Sequence, residues 1–246
     1  MTVGIIGYGR FGKLAAKYIA KRAHILVYDR NIRPSRFPSS RIRRATLDEV
    51  ASQSIVLLAV PVSSLKETLH LIKPFLVRSA LVIDVCAVKV QPIAWMKNIL
   101  PTHVNILGSH PLFGPDSAAD SLQGHRIVLC PERIPEKLYR RVVREVRGTG
   151  LAVRTMTPDE HDEMIAESLF MTQFVGRVVS QTRVRHHVFS TKSSLELMKI
   201  AKIADNDTKE LFHDMAKYNP HAKRLVQRLL NAEKEVLNDL RLNDSR

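Results

Sequence analysis

Chemistry in this chain concentrates first at His110, inside Gly108-Ser109-His110-Pro111-Leu112-Phe113-Gly114-Pro115. An apolar run, Val104 to Leu107, leads into the histidine, and Pro111, Gly114 and Pro115 restrict or license the backbone beyond it. An imidazole titrates near neutral pH and can take or return a proton, so a histidine fixed at a strand end is a candidate general base. A turn histidine without chemical consequence is the alternative, and the octapeptide alone does not separate the two.

A second constellation is Gly7-x-Gly9-x-x-Gly12, preceded by the strand-like Val3 to Ile6 and followed by a helical run from Lys13 to Lys21. In a dinucleotide site the first glycine makes the tight turn, the second admits a pyrophosphate, and the third lets helix and strand pack closely. A second strand, Ile25 to Tyr28, ends in Asp29, whose carboxylate can accept hydrogen bonds from adenosine ribose hydroxyls. That favours NAD over NADP, while Arg30 and Arg33 could instead clamp a 2′-phosphate, so NADP stays open. The candidate cofactor contacts are Gly7, Tyr8, Gly9, Arg10, Phe11, Gly12, Asp29 and Arg30, joined by Val60 and Pro61 at the end of a later strand.

These residues need a sheet to hold them, and the pattern supplies one. Thr46 to Ala51 reads as a short helix with the Thr46/Glu49 capping-box spacing, and Ile55 to Val60 as a buried strand closed by Pro61. Ser63 to Ile72 is a helix with Leu65, Leu69 and Ile72 on one face, followed by strands at Ala80 to Val85, Val104 to Leu107 and Ile127 to Leu129. A helix from Pro135 to Arg147 and a strand from Leu151 to Arg154 complete an α/β unit, a Rossmann-type, doubly wound, mainly parallel sheet over residues 1–156. Ligands of such a sheet bind at the carboxyl ends of its strands, where Gly7, Asp29, Ala87 and His110 fall. From Thr157 the strands stop. Helical runs at Thr157 to Val179, Ser194 to Ile203, Thr208 to Tyr218 and Pro220 to Leu240 predict a smaller all-helical domain over 157–246, for substrate binding and dimerisation. The apolar stripe Leu225, Leu229, Leu230, Ala232, Val236, Leu237 and Leu240 needs a partner, either its own domain or a second copy; a homodimer through this domain is expected.

Composition narrows the function classes. The 246 residues are 45% hydrophobic and 25% charged, ordinary globular values, with no apolar run of membrane-spanning length. Strand-like residues begin almost at Met1, so no targeting peptide and a cytoplasmic protein are expected. Cys86 and Cys130 lack metal-ligand spacing and read as reduced thiols. The formal charge of +14 suits an anionic small-molecule substrate. Its densest cluster, Arg30, Arg33, Arg36, Arg41, Arg43 and Arg44, has only Phe37 to stack on bases, so it reads as a solvated basic loop and no nucleic-acid partner is expected.

Taken together, the glycine loop, Asp84-Val85-x-x-Val88-Lys89, His110-Pro111-Leu112-Phe113-Gly114-Pro115, Glu160-His161-Asp162 and Tyr218-Asn219 resemble the prephenate/arogenate dehydrogenases of tyrosine biosynthesis along nearly the whole chain. Ser168 to Arg177 looks most like the plant-type arogenate branch, and no ACT or chorismate mutase domain is expected. The resemblance implies an NAD(P)-dependent oxidative decarboxylation of prephenate or arogenate. His110 would hydrogen-bond the ring hydroxyl and receive its proton as hydride leaves.

Three positions depart from the family pattern. Ala87 stands where a serine hydroxyl usually bonds the catalytic histidine and substrate, and Ser109 is the nearest substitute. Gln173 stands where a second histidine is frequent, and Lys202, with Lys199 as rival, falls near the substrate-binding arginine. Ser109, Gln173 and Lys202 are therefore the expected substrate contacts. Glu160, His161 and Asp162 read as helix-start residues favoured by the macrodipole, and Trp95 as packing. A dehydrogenase of similar layout acting on another small hydroxy acid, or a dinucleotide-binding relative without this chemistry, are the alternatives.

Overall fold

Apolar runs with β-branched residues become strands here because neighbours cover both faces of the sheet. The computed structural model describes residues 1–31, 37–185 and 187–240. Its strands are β1 (Thr2–Ile6), β2 (His24–Tyr28), β3 (Ile42–Arg44), β4 (Ile55–Leu58), β5 (Leu81–Asp84), β6 (Asn105–Pro111), β7 (Arg126–Arg133) and β8 (Ala152–Thr155). They form one sheet in the order β3-β2-β1-β4-β5-β6-β7-β8, parallel except where β7 runs antiparallel to β6. The chain order reverses at β1, which pairs with β2 on one side and β4 on the other. The loops leaving β1 and β4 therefore diverge there and open the crevice in which such sheets bind ligands.

Helices α1 (Arg10–Ile19), α2 (Leu47–Ala51), α3 (Val62–Ile72), α4 (Val90–Ile99) and α5 (Glu136–Arg147) accompany the strands. The Thr46/Glu49 capping box opens α2, with Thr46 N–H donating to Glu49 Oε2 at 2.9 Å. Leu65, Leu69 and Ile72 of α3 are fully buried, as their spacing predicts. Pro92 masks α4 in the sequence; it lies in the first turn, where a missing N–H costs nothing, and Ile93, Met96 and Ile99 bury the helix.

The basic cluster needs correction. Arg43 and Arg44, expected in a solvated loop, lie on β3, where Ile42 is buried and pairs with Ile25 of β2. A strand edge supplies backbone partners that composition does not reveal. Arg33 and Arg36 lie outside the described residues.

The chain divides into two compact units, Met1–His161 and Asp162–Arg246. Beyond α6 (Pro158–Ile165) the backbone passes through a π-helical stretch, Ala166–Phe170, into α7 (Met171–Gln181). The helical run expected from Thr157 is thus interrupted by a local widening, a feature frequent at functional sites. The remaining helices are α8 (Lys192–Asn206), α9 (Lys209–Tyr218) and α10 (Ala222–Asp239). Thr191 and Thr208 cap α8 and α9 by accepting from the N–H groups of Ser194 and Leu211. No described helix is long and apolar enough to cross a membrane.

Candidate active site

The glycine loop is shaped by close backbone approaches. Gly7 has φ of 96°, and a Cβ on it would lie 2.3 Å from the Ala59 carbonyl oxygen, so the loop packs directly against the end of β4. A Cβ on Gly12 would lie 2.0 Å from Gly7 O, which ties α1 to β1. Gly9 differs: apart from its chain neighbours, no described atom lies within 4 Å of where its Cβ would sit. It is also the N-cap residue of α1, and no side chain caps that first turn among the described residues. Open ground beside uncapped N–H groups fits a pyrophosphate.

Asp29 is half-buried and fixed by two backbone donors, Tyr8 N–H to Oδ2 at 2.6 Å and Asn31 N–H to Oδ1 at 2.8 Å. Its negative charge fits two ribose hydroxyls and opposes a 2′-phosphate. Arg30 is held in an exposed pair with Glu67 at 2.7 Å, which raises its pKa. Arg10 Nη2 donates to both carboxylate oxygens of Asp116, each at 2.7 Å. Tyr8 is buried with its ring edge-on to Phe37, 5.6 Å between centroids, and burial raises its phenol pKa. Phe11 packs near Phe113 at 6.3 Å between centroids. A Val60 methyl is 3.2 Å from the Gly7 Cβ position, and Pro61 begins α3. The residues of the loop, Asp29 and Val60 are therefore brought together.

His110 lies within β6, paired across the sheet with Val128, and is 6% exposed. Its Nδ1 is 2.9 Å from Nε2 of His161, with the rings edge to face at 68°. This corrects the helix-start reading of Glu160-His161-Asp162. Glu160 alone fits it: Thr157 N–H donates to Glu160 Oε2 at 2.8 Å and Glu160 N–H to Thr157 Oγ1 at 3.2 Å, and these bonds hold its carboxyl below the usual range. His161 is fully buried against His110, one turn before buried Ile165. A histidine on the apolar side of a helix was the signal in the sequence. Burial pushes the His110 pKa well below the usual histidine range, and His161 and the Lys89 cation act in the same direction.

Ser109 does not replace the hydroxyl absent at Ala87. Adjacent strand residues face opposite sides, and the Ser109 hydroxyl donates to the Asp84 carbonyl at 2.6 Å, away from His110. Asp84 and Lys89 are both fully buried and paired. Lys89 Nζ donates to Asp84 Oδ1 and, at 2.8 Å, to the Ser109 carbonyl; Cys86 N–H also donates to Asp84 Oδ1, at 3.0 Å. Asp84 Oδ2 finds no partner among the described residues.

Within the helical unit, Gln173 is buried and its Nε2 donates to Asp207 Oδ2. The cation in this cluster is Arg177, which donates to the Asp207 carbonyl at 3.0 Å and lies over the Phe212 ring. Gln173 Oε1 and Arg177 Nε are buried without partners among the described residues. Lys202 stands exposed on α8, and Lys199 pairs with Glu196 at 2.6 Å. Asn219 Nδ2 donates to the carbonyl of buried Asp162 at 2.8 Å.

Residues 39–152 match the family model of the prephenate dehydrogenase nucleotide-binding domain, and residues 1–76 that of the D-isomer specific 2-hydroxyacid dehydrogenase NAD-binding domain. Arogenate dehydrogenase 2, chloroplastic, of Arabidopsis thaliana is 29% identical over 98% of this chain and 70% of its own length. Arogenate dehydrogenase 1, chloroplastic, of the same plant is 28% identical over 93% of this chain, which spans only 37% of that protein. The T-protein of Haemophilus influenzae is 28% identical over 97% of this chain and 61% of its own. Prephenate dehydrogenase from A. aeolicus, solved with hydroxyphenyl propionate and NAD+, shares the fold with a TM-score of 0.74 at 23% identity, over 98% of this chain and 89% of that one. Synechocystis arogenate dehydrogenase does so with a TM-score of 0.69 at 19% identity, over 98% and 90%. The eight-stranded nucleotide-binding sheet and the similarity along almost the whole chain liken it to the prephenate and arogenate dehydrogenases.

Proposed function

We propose that the protein catalyses the NAD+-dependent oxidative decarboxylation of prephenate or arogenate, with His110 as the proton acceptor. The observation that carries this reading is the buried His110 imidazole at the carboxyl end of β6, bonded through Nδ1 to His161. Bound NAD+ supplies the hydride acceptor. The uncapped start of α1 and the Asp29 carboxylate fit its pyrophosphate and ribose.

His110 can take a proton at Nε2 only if Nδ1 already carries one. Nδ1–H then donates to His161 Nε2, which fixes the ring and its tautomer. A depressed pKa keeps His110 neutral and ready to accept at neutral pH. Removing the hydroxyl proton as hydride leaves makes a ring ketone, from which carboxylate loss is driven by aromatisation. Within the helical unit, Gln173, Arg177 and Asp207 form a polar cluster and Lys202 is exposed. The exposed Leu230, Val236 and Leu237 of α10 fit a homodimer through that unit, which sedimentation would report as twice the 27.9 kDa chain mass.

The test supplies prephenate or arogenate with NAD+ or NADP+ and follows reduced nicotinamide. Turnover with at least one substrate and NAD+ is expected. NAD+ binding without turnover on either substrate overturns the proposal and leaves a dehydrogenase of another hydroxy acid, or a dinucleotide-binding relative.

A further inference from the structure

Lys89 sits in the connection between β5 and α4 as one of the largest fully buried side chains of the protein. A buried ammonium is costly to desolvate and needs both charge compensation and hydrogen-bond acceptors. Asp84 provides the first, and the Ser109 carbonyl provides an acceptor on β6 itself. The Ser109 hydroxyl closes the loop by donating to the Asp84 carbonyl. Gly108 completes the fit, since a Cβ there would lie 3.2 Å from Lys89 Cδ and 2.6 Å from Ile93 Cδ1. Three successive residues of β6, Gly108, Ser109 and His110, are thus seated on the Lys89 side chain, on its anchored carbonyl, and against His161.

We infer that Lys89, clamped between Asp84 and the Ser109 carbonyl, is the positioning residue of His110. It holds the β6 backbone immediately before the imidazole, and His161 holds the ring from α6. Its role is also electrostatic. Among the described residues, the charged or titratable groups acting on His110 are His161 from α6 and Lys89, with Asp84 of β5 bonded to Lys89. A fixed cation opposes formation of a second cation on the neighbouring imidazole, so Lys89 favours the neutral base. Removing its charge moves the acid limb of activity towards higher pH; a lysine that merely fills space leaves that limb in place.

The inference rests on His110 being the base, but its test also has a readout without turnover. Lys89→Met leaves the Asp84 carboxylate buried without a counter-charge, so Asp84→Asn/Lys89→Met is made beside it, and Lys89→Arg keeps the charge while changing the clamp. Folding is judged by thermal melting and NAD+ affinity, neither of which needs His110. In the double variant, kcat is expected to fall by about 10- to 100-fold with a smaller change in KM, because the acceptor is displaced from the reacting hydroxyl. The acid limb of kcat/KM, and the His110 resonance in an NMR pH titration, are both expected to move to higher pH. Lys89→Arg is expected to lower kcat and leave the acid limb where it is.

A folded double variant with native kcat and an unmoved His110 titration overturns the inference. If only Lys89→Arg folds, native kcat in that variant does the same, whereas a lowered kcat on an unmoved limb supports the inference. Should the native enzyme turn over neither substrate, the functional proposal fails, and the NMR titration still decides the role of Lys89.

Discussion

The glycine loop at Gly7–Gly12 and the floor beneath His110 both lie at carboxyl ends of strands in one sheet, yet their polar groups are disposed in opposite ways. Around the loop, Gly9 borders open space and the first turn of α1 has no side-chain cap. Around His110, Asp84, Lys89 and Ser109 are buried and bonded among themselves, and buried His161 is bonded to His110. A surface that binds a ligand keeps donors in reserve for it, at a cost in stability that the ligand later offsets. A surface that orients a base uses its donors and acceptors internally, because an imidazole free to rotate loses the alignment that proton transfer requires. Substitutions in the first cluster should therefore act on cofactor binding, and those in the second on the rate of the chemical step.

The largest expected separation comes from His110→Asn. It removes the proposed proton acceptor and retains a side chain of similar size, so kcat should fall by about 10²–10⁴-fold. NAD+ affinity, measured by calorimetry, should stay within a few-fold of native. A variant that lost both together would break the division between the two clusters. Gly12→Val is its counterpart, since any Cβ there lies 2.0 Å from the Gly7 carbonyl oxygen. Separating α1 from β1 should cost about 1–3 kcal/mol of stability and most of the NAD+ affinity, read from melting curves with and without cofactor.

This difference between clusters also explains what the sequence could and could not disclose. The loop is written in consecutive residues: glycines at fixed spacing after an apolar run, and an acid at the end of the next strand. Local spacing decides such a site, so Gly7, Gly9, Gly12 and Asp29 were legible at once, as was the parallel sheet around them. The floor is assembled from residues 84, 89, 109, 110 and 161, which only the folded sheet brings together. His161 looked like a helix-start residue because its neighbours Thr157 and Glu160 form a capping box. Ser109 looked like a substrate contact because it adjoins His110 in sequence, whereas strand alternation turns it towards Asp84. Arg177 was hidden for the same reason: its link to Asp207 spans two helices, so no local pattern marked it above Lys202. The edge strand β3 was hidden by its own arginines, since pairing with β2 overrides composition.

Acid should act on the floor before it acts on the loop. Because the pKa of His110 is depressed in the folded state, the unfolded chain binds this proton more readily. The contribution of His110 is therefore complete above about pH 6.5, the unfolded value, and declines as pH falls from there through the folded value. Denaturant unfolding between pH 7 and pH 5 should show this loss, and His110→Asn should remove that part of it. If His110→Asn loses stability as steeply as the native protein, the depressed titration belongs elsewhere.

Asp29 and Arg30 give the finest test, because they adjoin in sequence and face opposite demands of the cofactor. Asp29→Asn replaces an ionised acceptor by a neutral amide, and NAD+ should bind about 10-fold more weakly, in keeping with about 1.5 kcal/mol for a charged hydrogen bond. NADP+ should lose less or gain, since the charge opposing its 2′-phosphate is gone. Arg30→Ala should leave NAD+ affinity nearly native, because Arg30 is exposed and engaged with Glu67. Its effect should instead appear in the Asp29→Asn background, where Arg30 is the adjacent cation able to leave Glu67 for a 2′-phosphate. A double variant that binds NADP+ as well as Asp29→Asn alone would show that Glu67 keeps Arg30 out of the cofactor site, and that Asp29 by itself sets the preference for NAD.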